Sequence, residues 1–388
     1  MSQPLKGVRV IAVEQYAAGP YGTQLMSELG AEVIKIEAPS LGGDISRALG
    51  PYFLGEGDSE FFQTFSRSKK SVTLEIKTPG GRATFERLVA SADAVVNNLR
   101  GDQPEKLRLS YDHLKAIKPA IVCAHLSAYG RKGSRAAWPG YDYLMQAETG
   151  MMSLSGEPDG PPVRSGVSII DFMTGSVFAF GIVSALLGAK MTGEGCDVDV
   201  SLFDVALHQT SYPAVWAMNE GHAVGRLPRG AHPSITPSQM VRTADGWAML
   251  MCQTERFWGL FCDLVQRPDL AADPRFAGMA ARRTHIAALT DMLDGLFAGR
   301  TTREWQALFE GKVPFAPVLD LADALDSPFV AEVGMRDTFA HPARPEGMHG
   351  LASPVKINGQ RMTARRAPLM GEHNDELLGH ELLGDDTP

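Results

Sequence analysis

The sequence predicts a mixed α/β fold, with a doubly wound parallel sheet early in the chain and a smaller α+β domain later. Three observations predict it. Short apolar runs alternate with helical periodicity over roughly the first 200 residues, and crossovers of that length join parallel strands. From about Gly221 the texture changes to a hairpin followed by amphipathic helices. The length, 388 residues, also exceeds what one core usually holds.

The elements follow in order. Val8–Val13 reads as a buried strand; Pro20, favourable in a first turn, opens a helix that ends near Gly30. Ala31–Glu37 returns as a strand. Val72, Leu74 and Ile76 alternate as the next one, and Thr78-Pro79 starts a helix with Phe85, Leu88, Val89 and Ala92 on one face. Ala94–Asn97 is a strand, Ser110–Ile117 a short helix and Ile121–Leu126 a strand. Phe172–Ala189 has no formal charge over eighteen residues, but Gly175, Gly181, Ser184 and Gly188 suit close packing in a soluble core, so it reads as a buried helix and not a membrane span. Further on, Gln239–Thr243 and Trp247–Met251 flank Asp245-Gly246, a hairpin signal. Helices are expected at Thr254–Gln266 and Arg283–Ala298, and another begins at the capping box Thr301-x-x-Glu304. After about Phe329 the chain reads as loop, then a short strand at Pro354–Ile357 and a terminal helix at Asn374–Leu383. There is no internal repeat.

Composition narrows the function. Apolar residues make up 44% and charged residues 21%, the balance of a globular protein. A net charge of −8 argues against a nucleic-acid surface. Cys123, Cys196, Cys252 and Cys262 are widely spaced, which points to free thiols in a reducing compartment. The N-terminus lacks a signal-peptide core, and a cytoplasmic protein is expected.

Asp171 is the leading candidate for chemistry. It ends an apolar run and opens a helix, where a carboxylate meets the positive end of the dipole. A carboxylate held ionised in a pocket is a nucleophile that needs no general base. The alternative is a helix N-cap. The turn after the first strand, Ala17-Ala18-Gly19-Pro20-Tyr21-Gly22, is not the G-x-G-x-x-G fingerprint, and Pro20 removes an amide that would face a pyrophosphate. His125, His208, His222 and His232 show no metal-ligand spacing, so no metal is expected. Lys77, Arg100 and Lys106 fall where strands end, with Asn98 beside them, either as phosphate partners or as a solvated cationic rim.

Taken together, these segments resemble family III CoA-transferases. The resemblance runs through Pro4-Leu5-x-Gly7-Val8-x-Val10, Gly19-Pro20 to Glu37, Lys69–Pro79, Asn98, Pro139-Gly140-Tyr141-Asp142, Asp171-x-x-Thr174-Gly175 and Asp197–Asp204. It continues in Thr243–Gly246 and in Ala367-Pro368-x-x-Gly371-Glu372-His373. It implies a large Rossmann-like domain from residues 1–220 and 330–388, a small α+β domain from 221–329, and two subunits interlocked as a homodimer. It makes Asp171 the catalytic nucleophile, attacking an acyl-CoA thioester to give an aspartyl anhydride and then an aspartyl-CoA thioester. CoA is then a substrate, with no tightly bound cofactor; the partners are an acyl-CoA and a small carboxylic acid. Leu74, Lys77, Asn98, Leu99, Lys106 and Tyr141 match CoA-contacting positions, with Gln15, Ala17 and Ala18 beside them. Ala38 and Leu99 depart from the family's Arg and Phe, and Arg100 is the candidate to compensate. The glycine-rich lid of formyl-CoA transferase is replaced by Gly225–Ser234. Arg226, Arg229, His232, Ser234 and Ser238 either recognise a second carboxylate on a small dicarboxylic acid or sit on a solvated linker. The rivals are an α-methylacyl-CoA racemase, whose relatives carry His-Asp where this chain has Tyr141-Asp142, and a CoA-binding protein without turnover.

Overall fold

The computed structural model describes residues 3–379. Two compact units form, one from Met1–Thr149, Ser165–Thr210 and Pro328–Pro388, the other from Gly150–Arg164 and Ser211–Ser327.

The first unit is built on six strands, β1 (Arg9–Val13), β2 (Glu32–Glu37), β3 (Lys70–Thr73), β4 (Ala94–Asn97), β5 (Val122–Ser127) and β6 (Cys196–Ser201). All neighbours pair parallel, in the order β3-β2-β1-β4-β5-β6. The order reverses between β1 and β4, where Val13 is in register with Asn97, and a crevice opens at the carboxyl ends of such strands. One face buries Ile11, Ile34, Val72 and Val95 under helix α1 (Pro79–Ala90), which contributes Phe85, Leu88 and Val89. Full burial of such side chains stabilises by roughly 1.5–3 kcal/mol each. Thr78 caps that helix by accepting the Gly81 N–H, as its sequence predicts.

The sheet differs from expectation at both edges. Leu74 still donates its N–H to the Glu37 carbonyl, but a turn closed by Thr78 N–H on the Glu75 carbonyl then ends the strand, so β3 precedes Ile76. Strand β6 was not anticipated; Asp197 and Asp199 interrupt its apolar residues because it lies at the sheet's edge.

Two more helices complete this unit: α2 (Asp142–Glu148) and α3 (Ile169–Thr192). Helix α3 packs along the helix Ala18–Glu28, and two glycines set the closeness of that crossing. A Cβ on Gly175 would lie 2.5 Å from the Ala18 carbonyl oxygen, and one on Gly22 2.6 Å from that of Gly175. Helix α3 was expected to be buried throughout. It buries Ile170, Thr174, Phe178, Ile182 and Leu186, but leaves Phe180, Leu187 and Met191 at 75%, 61% and 79% exposed. It is long and apolar enough to cross a membrane by length and composition, with 44% of its apolar window buried in the fold. The region expected as loop after Phe329 contains the antiparallel hairpin Arg336–His341 with Arg344–Leu351, while Ile357 makes only an isolated bridge to Gln360. Glycine, proline and charged residues mask the period of that hairpin. The last helix covers Asn374–Leu378, and the expected extension over 380–383 lies outside the described residues.

The second unit has a three-stranded antiparallel sheet, Phe315–Pro317, Trp247–Met251 and Ser238–Arg242 in that order. The expected Arg283–Ala298 helix is two helices, Met279–Thr284 and Ile286–Phe297, broken where His285 leaves helical geometry. The capping box at Thr301 and Glu304 is present. Trp258, Phe261, Phe297, Trp305 and Phe309 form the core, into which Arg282 is folded with its guanidinium on the Thr236 and Phe276 carbonyls.

Candidate active site

Where the strand order reverses, a cavity of about 410 Å³ opens against the ends of β1, β4 and β5. The loop after β1 supplies Gln15, Tyr16, Ala17 and Ala18; the loop after β4 supplies Asn98, Leu99 and Arg100. Tyr141 closes one side, and Asp171 reaches in from helix α3.

Asp171 is not the N-cap. Ser168 holds that position, and Asp171 is the third helical residue, inside the first turn. Its backbone N–H donates to Asp142 Oδ2 at 2.9 Å. The other Asp142 oxygen accepts from Gln146 Nε2 at 2.5 Å, and Gln146 Oε1 accepts the Ser165 N–H at 2.9 Å. Asp142 and Gln146, one turn apart on α2, thus fix both the approach to helix α3 and its first turn. Asp171 is only 5% exposed. Burial pushes its carboxyl up to about 7, and the neighbouring Asp142 charge adds to the rise. Such a carboxyl is more basic, and more nucleophilic once ionised, than one in water.

The loop opposite Asp171 is rigidly framed. The Gln15 N–H donates to Asn98 Oδ1 at 2.9 Å, and Asn98 Nδ2 donates to the Gln15 carbonyl at 2.6 Å. Asn98 therefore lines the cavity with its amide taken up by the loop. Gly19 permits this approach, since a Cβ there would sit 2.8 Å from the Asn98 Cβ. Tyr16 has φ +71°, and its N–H donates to Asp44 Oδ1 at 3.0 Å. Beneath the loop lie buried ion pairs: Lys69 Nζ to Glu14 Oε1 at 2.7 Å, and Lys35 Nζ to Asp44 Oδ2 at 2.6 Å. Burial pushes Lys69 down to about 8, against the pull of Glu14. Glu37, which closes β2, is held by Arg47 at 2.7 Å and by Ser71 at 2.5 Å. Burial opposes its charge, but these bonds keep its carboxyl below the usual range.

Of the residues singled out in the sequence, Gln15, Ala17, Ala18, Asn98, Leu99, Arg100, Tyr141 and Asp171 share this cavity. Leu74 is buried past β3, and Lys77 is exposed in the turn before helix α1; neither lines it. Lys106 is also outside, exposed at the end of the short helix Gln103–Lys106 and paired with Asp102 at 2.5 Å. Arg100 is half exposed, with Asp102 3.8 Å away. In the second unit Arg229 is engaged by Asp294 at 2.5 Å and lies over the Trp247 ring, so its charge is already compensated. Arg226 donates to the Pro158 carbonyl, and His232 Nε2 meets the Tyr212 hydroxyl. Among the described residues no His, Cys, Asp and Glu group is arranged to hold a metal. Tyr16 and Gln146 were not singled out: a lone tyrosine in a turn and a glutamine on a helix carry no sequence signal.

Residues 5–374 match the family model for CoA-transferase family III. The chain is 33% identical to a succinate–glutarate CoA-transferase of Agrobacterium fabrum, over 97% of this chain and 95% of that protein. It is likewise 33% identical to an acetyl-CoA:oxalate CoA-transferase of Acetobacter aceti, over 92% and 90%. A crystal structure of a CAIB/BAIF family protein from Brucella suis superposes with a TM-score of 0.84 at 32% identity, covering 98% of this chain and all, 100%, of that one.

Proposed function

This chain belongs to CoA-transferase family III and is a CoA-transferase working between an acyl-CoA and a carboxylic acid; from that premise we propose that Asp171 is its covalent nucleophile and that the acid is a small dicarboxylate. The observation that carries the mechanism is the placement of Asp171, a buried carboxyl in a helix's first turn at the cavity where the strand order reverses. Its carboxylate attacks the thioester carbonyl, forming an acyl–aspartyl anhydride and expelling CoA thiolate. The thiolate attacks the aspartyl carbonyl, releasing the first acid and leaving an aspartyl-CoA thioester. The acceptor carboxylate attacks that thioester, a second anhydride forms, and the returning thiolate takes the new acyl group. Covalent steps divide one difficult exchange into easier ones. The first turn of Ala18–Glu28 has no side-chain cap and Pro20 has no N–H, so the Ala18 and Gly19 amides are the candidate donors to the oxyanions, an effect typically worth ~2.7–4 kcal/mol per donor. An anhydride hydrolyses, so water must be kept out.

Gln15, Ala17, Ala18, Asn98, Leu99, Arg100 and Tyr141 support a reading of the cavity as the place for the reactive end of CoA. The dicarboxylate reading rests on relatives named for succinate, glutarate and oxalate. Arg229 is a weaker support for it than its sequence suggested, being paired with Asp294. Incubation of succinyl-CoA with glutarate, mesaconate, oxalate and matched monocarboxylates, read by mass, should give new CoA thioesters from the dicarboxylates first. Exchange with monocarboxylates alone would refute the acid assignment. Tyr141 stands where the racemases carry a histidine, and a phenol with a reference pKa near ~10 is a poor base at neutral pH, which disfavours a racemase.

A homodimer is part of the same proposal, with the chain cytoplasmic. Val177, Phe180, Val183, Leu187 and Met191 form an apolar stripe on helix α3, more than an isolated surface usually leaves bare. A second copy is the occupant we assign, interlocked with the first. Sedimentation at micromolar concentration should give a dimer that does not dissociate on dilution. A monodisperse monomer would contradict this.

A further inference from the structure

Tyr16 is held in a backbone conformation that bulky L-residues avoid, with φ +71°. Strain of this kind persists only where the surroundings fix it, and it gathers at functional sites. Here the surroundings do so on both sides: Asp44 accepts the Tyr16 N–H, and Asn98 holds both backbone groups of Gln15. Asp44 is in turn locked by the buried Lys35. The ring is placed as firmly. It lies edge-on to Tyr141 at 6.2 Å and against Phe61 at 5.4 Å, and it lines the cavity that Asp171 enters. Burial, and after it the Asp171 charge, raise the phenol above its ordinary range, so its proton stays on the oxygen.

The acceptor acid arrives as an anion beside an anionic nucleophile. Arg100 is the one cation among the residues lining this cavity, and Asp102 is near it. A neutral donor can hold a carboxylate there without a charge that would pair with Asp171. We propose that Tyr16 determines acid specificity, its hydroxyl donating to the carboxylate of the incoming acid and its ring limiting the length of acid that fits. The inference rests on the transferase reading and deepens it. It also explains a strained residue that the fold does not require, since glycine would take φ +71° without steric strain.

Two variants test it, Tyr16→Phe and Tyr16→Gly, with succinyl-CoA as donor and glutarate or a longer dicarboxylate as acceptor. Tyr16→Phe should raise KM for the acid by about ten- to hundredfold, the weight of one hydrogen bond to a charged group, with KM for succinyl-CoA within twofold. Tyr16→Gly should shift acid preference toward the longer chain, because the ring that limits acid length is gone, while the relieved backbone strain offsets part of the lost packing on Phe61 and Tyr141. A Tyr16→Phe acid KM within twofold of the parent, or a Tyr16→Gly protein with the parent's preference between short and long acids, would overturn the proposal. Titration of glutarate into the CoA-loaded protein by calorimetry reads the same contact without turnover. If the parent protein transfers CoA to no acid, the transferase reading fails separately, and the titration still decides whether Tyr16 holds the acid.

Discussion

Asp171→Asn should abolish CoA transfer, lowering turnover by about ten-thousandfold or more, because the one carboxylate beside it, Asp142, is held by Gln146 and by the backbone N–H of residue 171. The backbone N–H that Asp142 accepts is untouched by the change, so helix α3 keeps its start. CoA affinity should stay near that of the parent. The same substitution should stabilise the protein at neutral pH, and the sign follows from linkage. The carboxyl titrates at its ordinary 3.8 in the unfolded chain and at about 7 in the folded one. Between those values the folded state binds the extra proton, so stability falls as pH rises through that window and levels off above it. Asparagine removes the penalty, which at full ionisation is on the order of a few kcal/mol. Calorimetric Tm of Asp171→Asn should exceed that of the parent at pH 8, and the gap should shrink toward pH 5. Full transfer activity, or a gap that widens at low pH, would refute this account of the site.

Lys69→Met should be the most destabilising conservative change in the sheet unit. It leaves the Glu14 carboxylate buried without the ammonium 2.7 Å away, and it removes the bond to the Pro20 carbonyl. Breaking a buried pair from one side typically costs about 3–5 kcal/mol, here a fall in Tm of roughly 10 °C. Adding Glu14→Gln should recover much of the loss, since no isolated charge then remains. A Tm within a degree of the parent, or a double variant as unstable as the single one, would show that the pair does not hold the Gln15–Ala18 loop.

The legible parts of this protein are those where one residue type has one local meaning. Ala94–Asn97 is a short run, apolar through Val96 and bounded by Asp93 and by asparagines, and forms the strand expected of it. Thr78 and Thr301 cap helices because a hydroxyl before a helix has few other uses there. Gly175 carried a packing signal in the density of small residues along 172–189, whereas the close approach at Gly22 did not show in the sequence. Elements fixed by partners distant in sequence were not legible. Strand β6 exists because β5 offers it a ladder, and its own alternating aspartates obscure it. The site divides the same way. Asp171 announces itself by a lone charge at a helix start, and family resemblance then gives it a role. That Asn98 clamps Gln15, and that Asp142 accepts the Asp171 N–H, depends on separations of 83 and 29 residues. The strain at Tyr16 is a backbone angle, which no side-chain pattern reports.

The most direct test of the central claim is covalent trapping. Incubation with succinyl-CoA and hydroxylamine, followed by peptide mapping, should convert Asp171 to its hydroxamate, with none formed when the acyl-CoA is omitted or when the protein carries Asp171→Asn. Sustained CoA exchange with Asp171 unmodified, or a hydroxamate at another carboxyl, would contradict the account.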